Sequence, residues 1–261
     1  MKKILFLFLS VLIFLSGCSI LEKIPFLNQN ENEQTNYNET VGKEGNNITL
    51  EASFFNNIKS VNGKNVIQNP ENILVLVNKQ YSLPDGYTPS DLTRPNVSFS
   101  FGNKDIEKSY LRQKAAVALE KMFKQAKAEG IELFAVSGYR SYNRQVEILN
   151  AEIASVGEEK AVQAVAVPGQ SEHQTGLAMD ISSQSEGFRL TESFEGTKEG
   201  LWLAENAHRF GFILRYPKGK EAITGIQYEP WHFRYVGEEA ATIIFEKGWT
   251  LEEFFNIVEK I

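Results

Sequence analysis

The chain has 261 residues, 42% of them hydrophobic, with a formal net charge of −6 and one cysteine. This composition suits a folded globular domain and excludes an internal disulfide framework. No basic domain or stripe is available to meet phosphates, so nucleic acid is not an expected partner. Net charge also offers no attraction to anionic polymers or membrane surfaces.

Met1-Lys2-Lys3 is a short basic region, and Ile4 to Leu15 is almost wholly apolar, long enough for a secretory signal core and short for a bilayer span. The run ends in Leu15-Ser16-Gly17-Cys18, which resembles the lipobox of bacterial lipoproteins. That resemblance implies cleavage before Cys18, lipidation of that cysteine, and a two-chain anchor on the extracellular face of the bacterial cytoplasmic membrane. An ordinary secretory signal with a chance cysteine is the alternative. Residues 28–47 are polar and almost free of apolar side chains. They cannot bury enough surface to offset the entropy of ordering, and read as a flexible tether. Residues 48–70 are ambiguous between a short element and loose chain. The expected organisation is a signal peptide over 1–17, a lipidated cysteine and Asn/Glu-rich tether over 18–71, and a single compact domain over 72–261.

Ile73-Leu74-Val75-Leu76-Val77 opens that domain as a buried-strand candidate. Ser82-Leu83-Pro84-Asp85-Gly86 and Thr93-Arg94-Pro95 break the next stretch into turns. Leu111, Ala115, Leu119, Met122 and Ala126 share one helical face within 110–128, ended by Gly130. A strand over 131–136 delivers Ser137-Gly138-Tyr139-Arg140-Ser141, and a helix comes next over 142–154. Ser155-Val156-Gly157-Glu158 has the form of a capping box opening another helix, stopped by Pro168-Gly169. His173 then falls in a loop. Strands are expected at 177–181, 212–216 and 232–236, a helix at 201–210, and a last helix capped by Thr250-Leu251-Glu252-Glu253. Short strands mixed with unevenly spaced helices point to an α+β fold with a small, mostly antiparallel sheet flanked by helices.

Two segments carry the chemistry: Ser171-Glu172-His173-Gln174-Thr175-Gly176-Leu177-Ala178-Met179-Asp180, and Glu229-Pro230-Trp231-His232. A catalytic zinc needs three protein ligands and an open position. His173, Asp180 and His232 supply three, leaving Glu229 as a base beside the attacking water. The seven-residue step from His173 to Asp180 is wrong for one helical face. It suits a loop that turns back at Gly176 into a strand. Asp180 follows Leu-Ala-Met, a buried setting in which a bare carboxylate is costly and a cation compensates it.

The motif Ser171-x-His173-x-x-Gly176-x-Ala178-x-Asp180, then Glu229-x-Trp231-His232, resembles the zinc D-alanyl-D-alanine carboxypeptidases of the VanY type and the related peptidoglycan L,D-carboxypeptidases. The likeness spans roughly residues 73–245 and includes Ser137-Gly138-Tyr139-Arg140-Ser141. It implies one Zn2+ per chain on His173, Asp180 and His232, with Glu229 as catalytic base. It further implies Arg140 as the clamp on the substrate's terminal carboxylate, a role the guanidinium fork fits physically. Ser171 and Gln145 are further candidate substrate contacts. The implied activity removes the terminal D-alanine from peptidoglycan stem peptides, as a D,D-carboxypeptidase on pentapeptides or an L,D-carboxypeptidase on tetrapeptides. A non-catalytic wall-binding module, or an endopeptidase or D,D-dipeptidase, is the alternative. His208 reads as a helix-face residue, Trp231 and Tyr139 as core or pocket walls, and Glu172 as solvated or structural. Arg144 and Arg234 are unassigned.

Overall fold

The computed structural model describes residues 41–44 and 47–261. The signal peptide, Cys18 and the expected tether up to residue 40 lie outside the described residues. The architecture is α+β, as the pattern of elements implies. Its centre is a four-stranded sheet in the order Phe212–Leu214, His232–Tyr235, Ala178–Ser182, Phe134–Ser137, antiparallel at every step. All five residues of Ala178–Ser182 are buried.

The helix Gln113–Ala128 buries Ala115, Leu119, Met122 and Ala126. These pack with Met179, Ile181 and Phe233 of the sheet in one apolar cluster. Each fully buried large side chain there is worth roughly 1.5–3 kcal/mol. Ser141 caps the helix Tyr142–Val156 by accepting a hydrogen bond from the Arg144 amide at 3.2 Å. Thr250 and Glu253 form the expected reciprocal capping box of the helix Leu251–Ile257, with bonds of 3.1 and 2.7 Å.

Three expectations are corrected. Residues 74–77 are buried and Ile73 is partly buried, but they form no strand. Side chains satisfy this backbone instead of a ladder: Asn56 brackets Leu76 at both its amide and carbonyl, and Arg234 donates to the carbonyls of Ile73 and Val75. The capping box at Ser155 does not form. The preceding helix runs through Val156, and Gly157, at φ 85°, separates it from Glu158–Ala164. The folded region also begins before residue 72. Strands Val41–Glu44 and Asn47–Leu50 pair with each other, and Asn47–Leu50 pairs in parallel with Glu259–Lys260. Strands Ile58–Val61 and Lys64–Ile67 form a hairpin that joins Tyr81–Ser82. Leu50 and Ile67 are fully buried. Isolated apolar residues in a polar context carry no periodicity, so these segments gave little sign of packing against the distant C-terminus.

Candidate active site

Asp180 lies at the middle of the four-stranded sheet, and its two neighbours deliver the rest of the site. On one side it is the direct cross-strand partner of His232. On the other it pairs with Ser137, after a register shift between Ala135 and Ser137. That edge leads directly into Gly138-Tyr139-Arg140. His173 reaches the same point from a 3-10 turn, Glu172–Thr175, closed by Gly176 at φ 66°. A Cβ at Gly176 would lie 2.9 Å from Leu92 Cδ2 and 3.0 Å from Arg112 Cγ, so glycine meets both a backbone and a packing demand there.

The donor atoms of His173, Asp180 and His232 lie within 4.8 Å of one another, and all three residues are buried. His173 Nε2 is 3.3 Å from Asp180 Oδ2, and His232 Nδ1 is 3.0 Å from Asp180 Oδ1. The remaining ring nitrogens are occupied elsewhere. His173 Nδ1 is 2.8 Å from the Gly138 carbonyl, and His232 Nε2 is 3.4 Å from Glu172 Oε2. An N–H on each of those outer nitrogens leaves a lone pair on His173 Nε2 and on His232 Nδ1, both facing Asp180. Two imidazoles and a carboxylate, so oriented, fit zinc.

The electrostatics are consistent with a cation site. Burial would raise the Asp180 carboxyl, yet the two histidines outweigh it and hold it well below the usual range. Burial lowers His173. Burial would also lower His232, but hydrogen bonds to Asp180 and Glu172 prevail and raise it to about 9. A cation held here would need His232 neutral, with the Nδ1 lone pair free toward Asp180.

Glu229 stands beside the triad, with Oε2 3.7 Å from His232 Nδ1. Its amide bonds the Tyr216 carbonyl and its carbonyl accepts from the His232 amide, so the turn across Pro230 holds Glu229 and His232 together. Burial, with Asp180 adding to it, raises the Glu229 carboxyl to about 7 against the opposing pull of His232 and Arg140. Arg140 is half-buried and makes no ion pair with any described carboxylate. Burial lowers its pKa, while Asp180 and Glu229 pull the other way.

Gln145 is buried, and its amide is spent within the protein, accepting from Arg140 Nη1 at 3.0 Å and donating to the Ala166 carbonyl at 2.7 Å. It orients the guanidinium. Ser171 is buried immediately before the turn that carries His173. Tyr139 is buried and bonds Thr88, Trp231 packs against the main core, and His208 stacks on Phe245 at 3.8 Å outside the ligand cluster.

Behind the site lies a charged group that sequence reasoning missed. Glu172 is fully buried, with Oε1 taking Arg215 Nε at 2.7 Å and Arg234 Nη1 at 2.8 Å. Glu252 clamps the other end of Arg215 with bonds of 2.8 and 2.6 Å. Arginines inside the apolar runs 212–216 and 232–236 were the available signal, because a buried guanidinium requires carboxylate partners.

A family model described as VanY, D-alanyl-D-alanine carboxypeptidase, matches residues 108–238. The chain is 59% identical over 214 residues to the putative carboxypeptidase YodJ of Bacillus subtilis (strain 168), covering 82% of this chain and 78% of that one. It is also similar to the solved LdcB LD-carboxypeptidase, with 59% identity, a TM-score of 0.80, and coverage of 82% of this chain and 99% of that one. A mutant of the vancomycin-resistance D,D-pentapeptidase VanY, solved in complex with Zn(II), aligns at 37% identity and a TM-score of 0.57 over 70% of this chain and 98% of that one. With the motif residues gathered at one point of the sheet, this chain belongs to the VanY D-alanyl-D-alanine carboxypeptidase family.

Proposed function

We propose that the protein is a zinc-dependent peptidoglycan L,D-carboxypeptidase, which removes the terminal D-alanine from tetrapeptide stems outside the membrane. The observation that carries the reading is the half-buried Arg140 guanidinium, free of any described carboxylate, beside the His173, Asp180 and His232 cluster. An exopeptidase must find a chain end, and a guanidinium held by Gln145 can take a terminal carboxylate in two parallel hydrogen bonds. Preference for L,D over D,D specificity rests on the closer likeness to the LdcB LD-carboxypeptidase, 59% identical, than to the D,D-pentapeptidase VanY, 37% identical.

His173, Asp180 and His232 would hold the zinc. The bound ion would polarise the scissile carbonyl and acidify the attacking water. Glu229 takes that water's proton and passes it to the leaving amine. Arg140 fixes the terminal residue, and Ser171, which precedes the turn that carries His173, is a further candidate contact. Lipidation at Cys18 would hold the enzyme at the extracellular face of the cytoplasmic membrane, supported by the apolar run before Leu15-Ser16-Gly17-Cys18.

Zinc-loaded protein incubated with tetrapeptide and pentapeptide stems, with released alanine followed by mass spectrometry, tests the reading. Release from the tetrapeptide is expected. Release from the pentapeptide alone would make the enzyme a D,D-carboxypeptidase, and release from neither would turn the reading toward a binding module or endopeptidase. A diacylglyceryl mass on the peptide beginning at Cys18 is the expected mark of the anchor, and an unmodified cysteine would refute it.

A further inference from the structure

We propose that Glu252, on the C-terminal helix Leu251–Ile257, is a positioning residue for the metal site, acting through Arg215 and Glu172 on His232. The inference rests on the reading of His173, Asp180 and His232 as zinc ligands. It concerns what holds one of those ligands, at two residues' remove.

The connection is continuous. Glu252 holds Arg215 by a two-bond fork at 2.6 and 2.8 Å, and Arg215 Nε donates to Glu172 Oε1 at 2.7 Å. Arg234 donates to the same oxygen at 2.8 Å. With Oε1 saturated by two guanidiniums, Oε2 faces His232 Nε2 at 3.4 Å. An imidazole that donates from Nε2 must offer its lone pair on Nδ1, toward Asp180. Glu172 is also joined by one peptide bond to His173, so its placement bears on both imidazole ligands.

Stability alone does not account for the arrangement. Arg215, Arg234 and the Glu172 side chain are fully shielded from solvent. Buried ion pairs of this kind are often no more stabilising than apolar side chains of similar volume. Their distinguishing property is direction: Arg215 makes its three hydrogen bonds to two carboxylates only at one angle of its plane. Removing the charge of Glu252 frees that plane to turn, and the loss passes through Glu172 to His232.

The test uses the full chain, with zinc affinity measured by chelator competition, the visible spectrum of the Co(II)-loaded protein, and the thermal midpoint. E252Q should weaken zinc binding roughly tenfold, at the lower end of the range for outer partners of metal ligands. It should also shift the Co(II) bands, and lower kcat at saturating zinc with KM for the stem peptide unchanged. R215K keeps the charge but cannot span both carboxylates, and should move the same readouts in the same direction, so it decides if E252Q does not fold. E253A, one residue along the helix, removes a Lys220 ion pair and half of the Thr250 capping box. It should lower the thermal midpoint without moving zinc affinity or the Co(II) spectrum. A folded E252Q or R215K with wild-type zinc affinity and spectrum overturns the proposal. Failure of the underlying site reading looks different: H232A would then bind zinc as tightly as the wild type.

Discussion

Glu229 and Arg140 divide the chemistry between a proton and a carboxylate, and each can be removed separately. E229Q keeps the shape of the side chain and none of the three clustered donors is touched. It should retain stoichiometric zinc while kcat falls by about 100-fold or more; wild-type turnover in this variant would exclude Glu229 as the base. The base works only when deprotonated, and burial raises its pKa to about 7. A nearby cation can only lower that value, so kcat/KM should fall on the acid side with an apparent pKa no higher than about 7. An acid limb centred well above 7 would contradict this assignment. Arg140 makes a different prediction. R140K retains charge but loses the planar fork, and should raise KM about tenfold or more with zinc affinity unchanged. An unchanged KM would remove the clamp.

At the scale of elements, the site depends on where strands end. Strand Phe134–Ser137 passes Asp180 and breaks at Gly138, whose carbonyl holds His173 Nδ1 at 2.8 Å. There is no room for a side chain at this position: a Cβ would lie 2.5 Å from the Tyr110 carbonyl oxygen and 2.9 Å from Met179 Cε. The Tyr110 carbonyl is backbone and itself accepts from the Tyr139 amide, so it cannot yield cheaply. G138A should cost about 1–3 kcal/mol in overpacking and weaken zinc binding as well, because the displaced carbonyl is the one that orients His173. Calorimetry combined with zinc titration would check both effects, and a stable variant with full zinc affinity would show that the carbonyl is dispensable.

At the scale of the whole molecule, two apolar clusters among the described residues share the load. The larger lies between the helix Gln113–Ala128 and the four-stranded sheet. The second joins Val41, Leu50, Leu74, Ile213, Phe254 and Val258, drawing on both ends of the described chain. A chain starting at residue 72 loses Leu50 and Ile67, along with the strand partners of Tyr81–Ser82 and Glu259–Lys260. Two such side chains are worth roughly 3–6 kcal/mol, so its thermal midpoint should lie on the order of 10 °C below that of a chain starting at residue 39. Equal midpoints would mean that residues 41–67 add nothing to the domain. Acid should act on the buried charges. Burial opposes ionisation of Glu172, but Arg215 and Arg234 prevail and hold its carboxyl well below the usual range. A depressed carboxyl stabilises the fold fully above its unfolded pKa, near 4.3, and the contribution drains away as pH falls below that value. Unfolding monitored from pH 6 to pH 2 should steepen below about pH 4, and less so in E172Q.

The sequence by itself determined the donor set and the kind of chemistry. His173, Asp180, Glu229 and His232 stand in two short segments whose residue types suit a one-zinc hydrolase, and turn-forming Gly176 and Pro230 are written into the same segments. The α+β class and the helices Gln113–Ala128 and Leu251–Ile257 were legible because apolar spacing and capping residues act within a few neighbours. The tertiary structure decided which atom of each ring faces Asp180, that Gln145 is committed to Arg140, and that residues 73–77 are held by side chains. It also decided that Glu172, Arg215 and Glu252 form one group, and that Leu50 and Ile67 belong to the core. These features depend on partners such as Glu172 and Arg215, 43 residues apart, or Asn47 and Glu259, 212 apart. Local propensity carries no information at such separations: closing the chain brings these groups together, and burial then makes each unpaired charge too costly to leave alone.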